Sequence, residues 1–336
     1  MPMIGTPAGV IETPDLSPDA SETELLADVL SRVRLSGAVF LRGCYSSPWA
    51  LESPSTAQLV ALLSPGSERL IPFHIVRSGR AHSVAGGMRV EAEAGDLIVI
   101  PHADQHVLGG PEAGEPVFIG SLLPPQPWET MPTCRINGGG EAADIDCGYF
   151  RCDELLFNTV LRHLPPVLVV RPGGTSAQLL LAAMDSALEE AGRNRGFQSP
   201  LSARLPELLL VETLRLYAAG SPTDTGWLAA TRDPVVGRAL RLIHENPVAD
   251  WSVEELARQS ATSRSVLGER FREMLGQSPM AYVAEWRMQI AANLLRSTTL
   301  KLAEVAERCG YGSEAAFSRA FLRHTGAPPA QWRDRP

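Results

Sequence analysis

The chain is short of the features that mark membrane-spanning and exported proteins. Its 336 residues contain no run of about 18 uncharged apolar residues, the length a spanning helix needs. The acidic, Pro-rich opening lacks a basic start and an apolar core, so no signal peptide is expected and the chain reads as cytoplasmic. Cysteine is scarce, and five reduced thiols cannot build a disulfide framework in that compartment. Cys147 and Cys152 bracket the expected strand Gly148-Tyr149-Phe150 at a spacing that fits neither CxxC nor a zinc ribbon. That leaves ordinary thiols or a redox-sensing pair, with Cys309 expected in a core. Arginine almost entirely replaces lysine, and Ala, Gly and Pro are abundant, a composition that points to a GC-rich bacterial genome. Excess positive charge is missing too, since the net charge is −8.

That charge is unevenly placed. Residues 232–336 carry 15 Arg+Lys against 12 Asp+Glu, whereas residues 1–231 carry 15 against 26. The length favours two domains, and 44% hydrophobic residues suffice for two cores. The balanced C-terminal part can face a polyanion with few phosphate contacts, while the acidic part does something else.

The last hundred residues repeat themselves. Phe271, Gly276, Pro279 and Tyr282 recur fifty positions on as Phe321, Gly326, Pro329 and Trp332, and Ala257 recurs as Ala306. Each copy reads as a helix-turn-helix. In the first, Ser252 caps a short helix with Glu254 and Glu255 in its first turn. Ala257 is small where the second helix crosses, and Ser260-Ala261-Thr262 turns. Ser263 then caps a helix over Arg264 to Leu275. Val266, Leu267, Phe271, Met274 and Leu275 form its expected inward stripe, leaving Ser263, Arg264, Ser265, Gly268, Glu269 and Arg272 outside. In the second copy, Lys301 to Cys309 is the short helix and Gly310-Tyr311-Gly312 the turn. Ser313 or its neighbour caps a helix to about His324, with Phe317, Ala320 and Phe321 inward and Glu314, Ala315, Ser318 and Arg319 outward. Pro329 opens a last short helix. Between the copies, 279–296 reads as one helix of about 27 Å, close to the roughly 34 Å between successive major-groove faces once the units' own width is added. A recognition helix fits the major groove, so double-stranded DNA is the expected partner.

These residues carry a resemblance. Trp251-Ser252-Val253-Glu254-Glu255-Leu256-Ala257, Gly276-Gln277-Ser278-Pro279, Trp286-Arg287-Met288, Gly310-Tyr311, Phe317-Ser318-Arg319-Ala320-Phe321 and Pro328-Pro329 resemble the DNA-binding domain of the AraC/XylS family of bacterial transcription regulators over 232–333. The resemblance implies seven helices, with base contacts at Ser265, Gly268 and Glu269 and at Ala315, Ser318 and Arg319. Gly268 and Glu269 depart from members with longer or basic side chains there. Gly268 offers no side chain to a base, and Glu269 either accepts from a cytosine amino group or ties down Arg272.

From 31 to 150 the pattern is all β. Short apolar runs such as Phe73-His74-Ile75-Val76 and Leu97-Ile98-Val99-Ile100 are broken by Gly and Pro every eight to twelve residues, which indicates a β-sandwich or barrel. Gly95-Asp96-Leu97-Ile98-Val99-Ile100-Pro101 followed by His106 resembles the second motif of cupins, and the span resembles the cupin-type sensor domain of some AraC-like regulators. His74, His82, His102 and His106 are the candidate pocket residues. His74, His102 and His106 form a candidate set for a divalent metal, although the first-motif ligands of cupins are absent and Ala103 replaces a Gly. The other reading is pocket or loop hydrogen bonding without metal.

The fold class is thus α+β in two domains: a leader at 1–30, a cupin-like β-barrel at 31–150 and helices at 151–219 that cover it or pair two chains. A linker at 220–231 leads to an all-α double helix-turn-helix at 232–336. The functional expectation is a ligand-responsive transcription regulator and not an enzyme, most simply a homodimeric activator. Its partners would be double-stranded DNA, an unknown small-molecule effector and, by family resemblance, RNA polymerase, with no membrane. The alternatives are a metal-dependent cupin enzyme with an accessory DNA-binding domain, and a constitutive DNA binder.

Overall fold

The structure, a computed structural model, describes residues 35–63, 69–125, 130–152, 160–171, 200–220 and 226–334, together with Leu25, Leu26, Val29, Trp128, Gln178, Leu181, Ala182 and Asp185. The described residues divide into two compact units, one over 35–220 and one over 226–334. Most of the expected leader lies outside the described residues, but Leu25, Leu26 and Val29 are helical and buried.

In the first unit the strands are β1 (Leu35–Ser46), β2 (Trp49–Glu52), β3 (Leu70–Ser78), β4 (Arg80–Ala85), β5 (Met88–Glu93), β6 (Leu97–Val99), β7 (His106–Gly109), β8 (Ala113–Phe118), β9 (Thr133–Asn137), β10 (Ala142–Cys152) and β11 (Leu168–Val170). Helix α1 (Thr56–Leu63) follows β2. They form a six-stranded sheet, β11-β6-β3-β10-β1-β9, and a five-stranded sheet, β5-β4-β7-β2-β8. Leu41, Val76, Ile98 and Ile145 of the first sheet share one core with Trp49, Leu51, Val90 and Leu108 of the second, as the expected cupin-like fold requires. Burial follows position. β5, at a sheet edge, alternates buried and exposed from Arg89 to Glu93, whereas central β3 is buried from Leu70 to Val76.

Buried ion pairs fasten the strands. Asp146 is fully buried on β10 between Arg42, at 2.9 Å, and Arg77, at 2.8 Å. Asp96, also fully buried, meets Arg171 at 2.8 Å and accepts from the backbone N–H of Glu93, so the Gly95-Asp96 turn is tied to the end of β11. Removing one partner of such a pair leaves a buried charge uncompensated, which is strongly destabilising.

Helix α2 (Pro200–Gly220) falls at the end of the helical stretch expected over 151–219. Leu205, Leu209, Leu214, Leu216 and Tyr217 are buried, and the helix packs on β1, β10 and β11. It therefore covers the six-stranded sheet. Most of 172–199, within the stretch expected to be helical, lies outside the described residues.

The second unit begins earlier than the composition indicates. The linker expected at 220–231 ends by Gly226, because Trp227–Arg232 is a helix, α3, with Trp227, Leu228, Ala229 and Ala230 buried. Trp227 explains this: its indole N–H donates to the Tyr282 hydroxyl at 2.8 Å, so a fully buried aromatic with a satisfied polar handle anchors the segment. Seven further helices follow, among the described residues: α4 (Val236–Glu245), α5 (Val253–Gln259), α6 (Arg264–Leu275), α7 (Pro279–Ser297), α8 (Leu302–Arg308), α9 (Glu314–Thr325) and α10 (Pro329–Arg333). Serine caps start four of them: Ser252, Ser263, Ser278 and Ser313 accept from the N–H groups of Glu255, Val266, Ala281 and Ala316. Gly276 and Gly326, at φ 68° and 71°, end α6 and α9 in the left-handed conformation that glycine adopts most easily.

Candidate nucleic-acid interface and signal pocket

Each recognition helix is held by a small residue below and aromatics beneath it. Ala257 on α5 and Ala306 on α8 are 2% and 1% exposed, which lets α6 and α9 cross closely. Under α6, Leu267 and Phe271 are fully buried and Phe271 meets Tyr282 edge-on. Under α9, Phe317 and Phe321 are fully buried and Phe321 meets Trp332 edge-on. Tyr282 and Trp332 thus do the same job fifty positions apart.

The outer faces are where expected, but Val266, Met274 and Ala320, expected inward, are not buried. Ser263, Arg264, Ser265, Glu269 and Arg272 are exposed on α6 or at its cap, and Gly268 is half-buried. Ser313, Glu314, Ala315 and Arg319 are exposed on α9 or at its cap, with Ser318 half-buried. Val266, expected inward, is 41% exposed instead. It lies about 100° round the helix from Leu267, and the one-turn overlap of the apolar stripe cannot hold both inside. Met274 is only half-buried for the same reason.

The faces differ electrostatically. Arg264 is paired at 2.6 Å with Glu254 of the preceding helix, a contact between two exposed side chains. Arg319 and Arg272 make no ion pair among the described residues. Nor is Glu269 paired with Arg272, so Glu269 stands open on the face. The connecting helix α7 has 19 residues, about 28 Å at 1.5 Å per residue. Arg287 on it donates to the carbonyls of Pro247 and Ala249, at 2.8 and 2.7 Å, fixing the loop before α5.

The first unit holds a different kind of site, a small apolar cleft with a cavity of about 50 Å³ that opens to solvent. Phe40, Leu41, Leu51, Leu59, Leu63, Leu108 and Tyr149 line much of it, and His74, His106 and Cys147 stand in its wall. The four expected pocket histidines are divided. His74 and His106 come together, Nε2 to Nε2, at 2.8 Å. His82 is buried elsewhere with Nδ1 2.8 Å from the Gly110 carbonyl. The His102 Nε2–H donates to the Leu164 carbonyl at 2.7 Å, tying down the turn at 161–164. The metal set His74, His102 and His106 is therefore not assembled. Among the described residues no group of three or more His, Cys, Asp or Glu side chains is placed to hold a metal ion. The donors present do not fit one.

Cys147 stands next to His74, in a place its sequence spacing does not reveal: its Sγ is 3.1 Å from His74 Nδ1. The contacts settle the protons by elimination. His106 Nδ1, 3.1 Å from the Asp104 carbonyl, must carry a hydrogen, which leaves its Nε2 as acceptor. His74 then donates from Nε2 and accepts at Nδ1 from the Cys147 thiol. Burial holds the His74 imidazole well below its usual range, with His106 adding to the effect, and pushes His106 down to about 4. Burial, with Asp146 adjacent, pushes the Cys147 thiol up. All three groups are neutral near pH 7. A redox-sensing thiol needs thiolate character, which Cys147 lacks. Cys152 belongs to the residues whose side chains are not described. The signal that could have found the triad is strand register, since Cys147 on β10 sits directly opposite His74 on β3.

These two sites define a helix-turn-helix DNA-binding protein that carries a cupin-type unit. The comparisons agree. A cupin family model matches residues 24–219 and a helix-turn-helix domain model matches 256–335. The chain is 40% identical over 278 residues to an AraC-like transcription regulator of Streptomyces lividans, covering 80% of this chain and 88% of that one. It is 24% identical over 330 residues to the HTH-type transcriptional regulator AlkR of Acinetobacter baylyi, covering 92% and 99%. The DNA-binding domain of AdpA, solved in complex with a target DNA, is 32% identical with a TM-score of 0.29, covering 30% of this chain and 90% of that one. The chain belongs to the AraC-like transcription regulators with an N-terminal cupin, and it is a DNA-binding transcription regulator. Its relatives regulate transcription, which sets the metal-dependent enzyme aside. No helix among the described residues is long and apolar enough to cross a membrane.

Proposed function

We propose that α6 and α9 enter two successive major-groove segments on one face of double-stranded DNA, with α7 setting their spacing. The observation that carries this reading is the pair of serine-capped helices, each apolar beneath and polar outside, joined by one 19-residue helix. Ser318, Arg319 and Ala315 read base edges from α9. On α6, Ser263, Ser265, Gly268 and Glu269 face the groove, while Arg264 and Arg272 contribute through phosphates; Ser313 and Glu314 flank the second reading face. The protein acts as a cytoplasmic homodimer paired through the helices after the cupin unit, and as an activator that meets RNA polymerase. A small-molecule effector bound by the first unit shifts the population of DNA-binding arrangements.

The test begins with sequencing the genomic fragments that the purified protein retains. On the strongest of these, Arg319→Ala should weaken binding by about 1–3 kcal/mol and relax specificity at one position. Unchanged affinity and unchanged specificity in fluorescence anisotropy would remove α9 from the reading role.

A further inference from the structure

We infer that the cleft of the first unit is the effector site, and that its effector is a neutral, predominantly apolar molecule with no more than one or two hydrogen-bonding atoms. The inference rests on the reading of the first unit as the signal-receiving part. Its own support is the chemistry of the cleft wall.

The wall offers hydrocarbon from both sheets and from α1. Its buried polar groups are already committed to one another. The Cys147 thiol donates to His74, His74 to His106, and His106 to the Asp104 carbonyl. The relay therefore gives an incoming ligand no free N–H. Two hydroxyls remain as handles: Ser53, whose Oγ accepts from the His106 backbone N–H at 2.8 Å, and Tyr149, whose O–H reaches the Leu63 carbonyl only at 3.5 Å. One or two polar atoms on a ligand can use them.

Two classes are disfavoured by the same wall. A carboxylate would enter without a lining cation, since no Arg or Lys among the described residues lines the cleft. Moving an ionised group there without a partner is strongly unfavourable. A sugar or polyol would leave most hydroxyls unpaired. An alkyl chain suffers neither penalty, and each buried methylene strengthens binding by about fourfold.

The experiment uses the full chain and named probes. Calorimetric titrations with 1-hexanol, 1-octanol and 1-decanol, matched by decanoate and sorbitol, are made at neutral pH. Expected is a dissociation constant that falls about fourfold per methylene along the alcohols. Decanoate should bind at least roughly thirtyfold more weakly than 1-decanol, and sorbitol not at all. Leu63→Trp, at a half-buried position on the cleft wall, should abolish 1-decanol binding without lowering the melting temperature. Leu51→Phe fills the same space from β2 and serves if the first variant misfolds. Equal binding of decanoate, or no alcohol binding at all, overturns the ligand class. Alcohol binding that survives both filled variants overturns the location. The anisotropy of a retained operator fragment, with and without 1-decanol, tests the underlying reading separately. Specific binding in the cleft that leaves DNA affinity unchanged would keep the site and remove its role as the effector site.

Discussion

The first helix-turn-helix copy turns at Ala261, with φ 54°, and the second at Gly310, with φ 73°. Both residues sit in the left-handed region, but only one lacks the Cβ that makes this conformation unfavourable. The reading faces diverge in the same direction. α9 presents Arg319 with no ion pair among the described residues, while α6 presents Gly268 and Glu269, and its Arg264 is held by Glu254. One skeleton, repeated down to its serine and glycine caps, therefore supports two surfaces of unequal capacity. The scaffold is set by packing, and packing leaves the outer face free to vary.

The turns give the largest test of that contrast. A Cβ at Gly310 would lie 3.0 Å from Arg287 Cζ and 3.2 Å from the Val248 carbonyl, in addition to the strain of its φ. Gly310→Ala should therefore destabilise the second unit by about 2–3 kcal/mol. The mirror change, Ala261→Gly, should stabilise it by about 1 kcal/mol. Urea midpoints measure both, and shifts of the same sign would erase the distinction between the turns.

Acid acts on imidazoles in both units, and the first holds the buried, linked pair. Burial keeps His74 and His106 neutral in the folded first unit, whereas the unfolded chain protonates them below about pH 6.5. The unfolded state then binds more protons, so stability is full above that pH and declines as pH falls toward the folded values, about 4 for His106. At about pH 5 His106 should lower first-unit stability by about 2 kcal/mol, with His74 acting in the same direction. If the first-unit urea midpoint does not move between neutral pH and about pH 5, these imidazoles are solvated and the relay does not form.

Smaller effects sharpen the comparison on DNA. Arg264→Ala and Arg272→Ala should each lower the slope of log affinity against log salt by about 1 and leave sequence preference alone. A change in preferred operator sequence would promote α6 to a base reader. The smallest effect is expected at Gly268, where an added Cβ meets nothing within 4 Å. Gly268→Ala should raise stability by about 0.5–1 kcal/mol through helix propensity alone. A loss of operator affinity in this more stable variant would show that α6 approaches the DNA backbone-close at that point.

Much of the second unit was legible beforehand because its signals are local. A serine cap reaches a backbone N–H three residues on, and a left-handed glycine ends the helix it follows. The bounds of α6 and α7 therefore came within a residue or so. Val266 escaped because a hydrophobic stripe read at 100° per residue is wider than the buried strip it stands for. Trp227 escaped because its partner, the Tyr282 hydroxyl, lies 55 positions away. In the first unit the strands were legible from Gly and Pro spacing, and their pairing was not.

The amino-acid sequence by itself determined the repeat, the caps, the turns and the two-domain plan, all of which depend on neighbours within about one helical turn or one hairpin. Only the tertiary structure decided what the histidines do. The register of β3 against β10 puts Cys147 opposite His74, and His106 at the start of β7 completes the relay. The fold of 161–164 takes His102 away to the Leu164 carbonyl. A one-residue change of register would turn Cys147 to the other face of the sheet, and composition carries no trace of that choice.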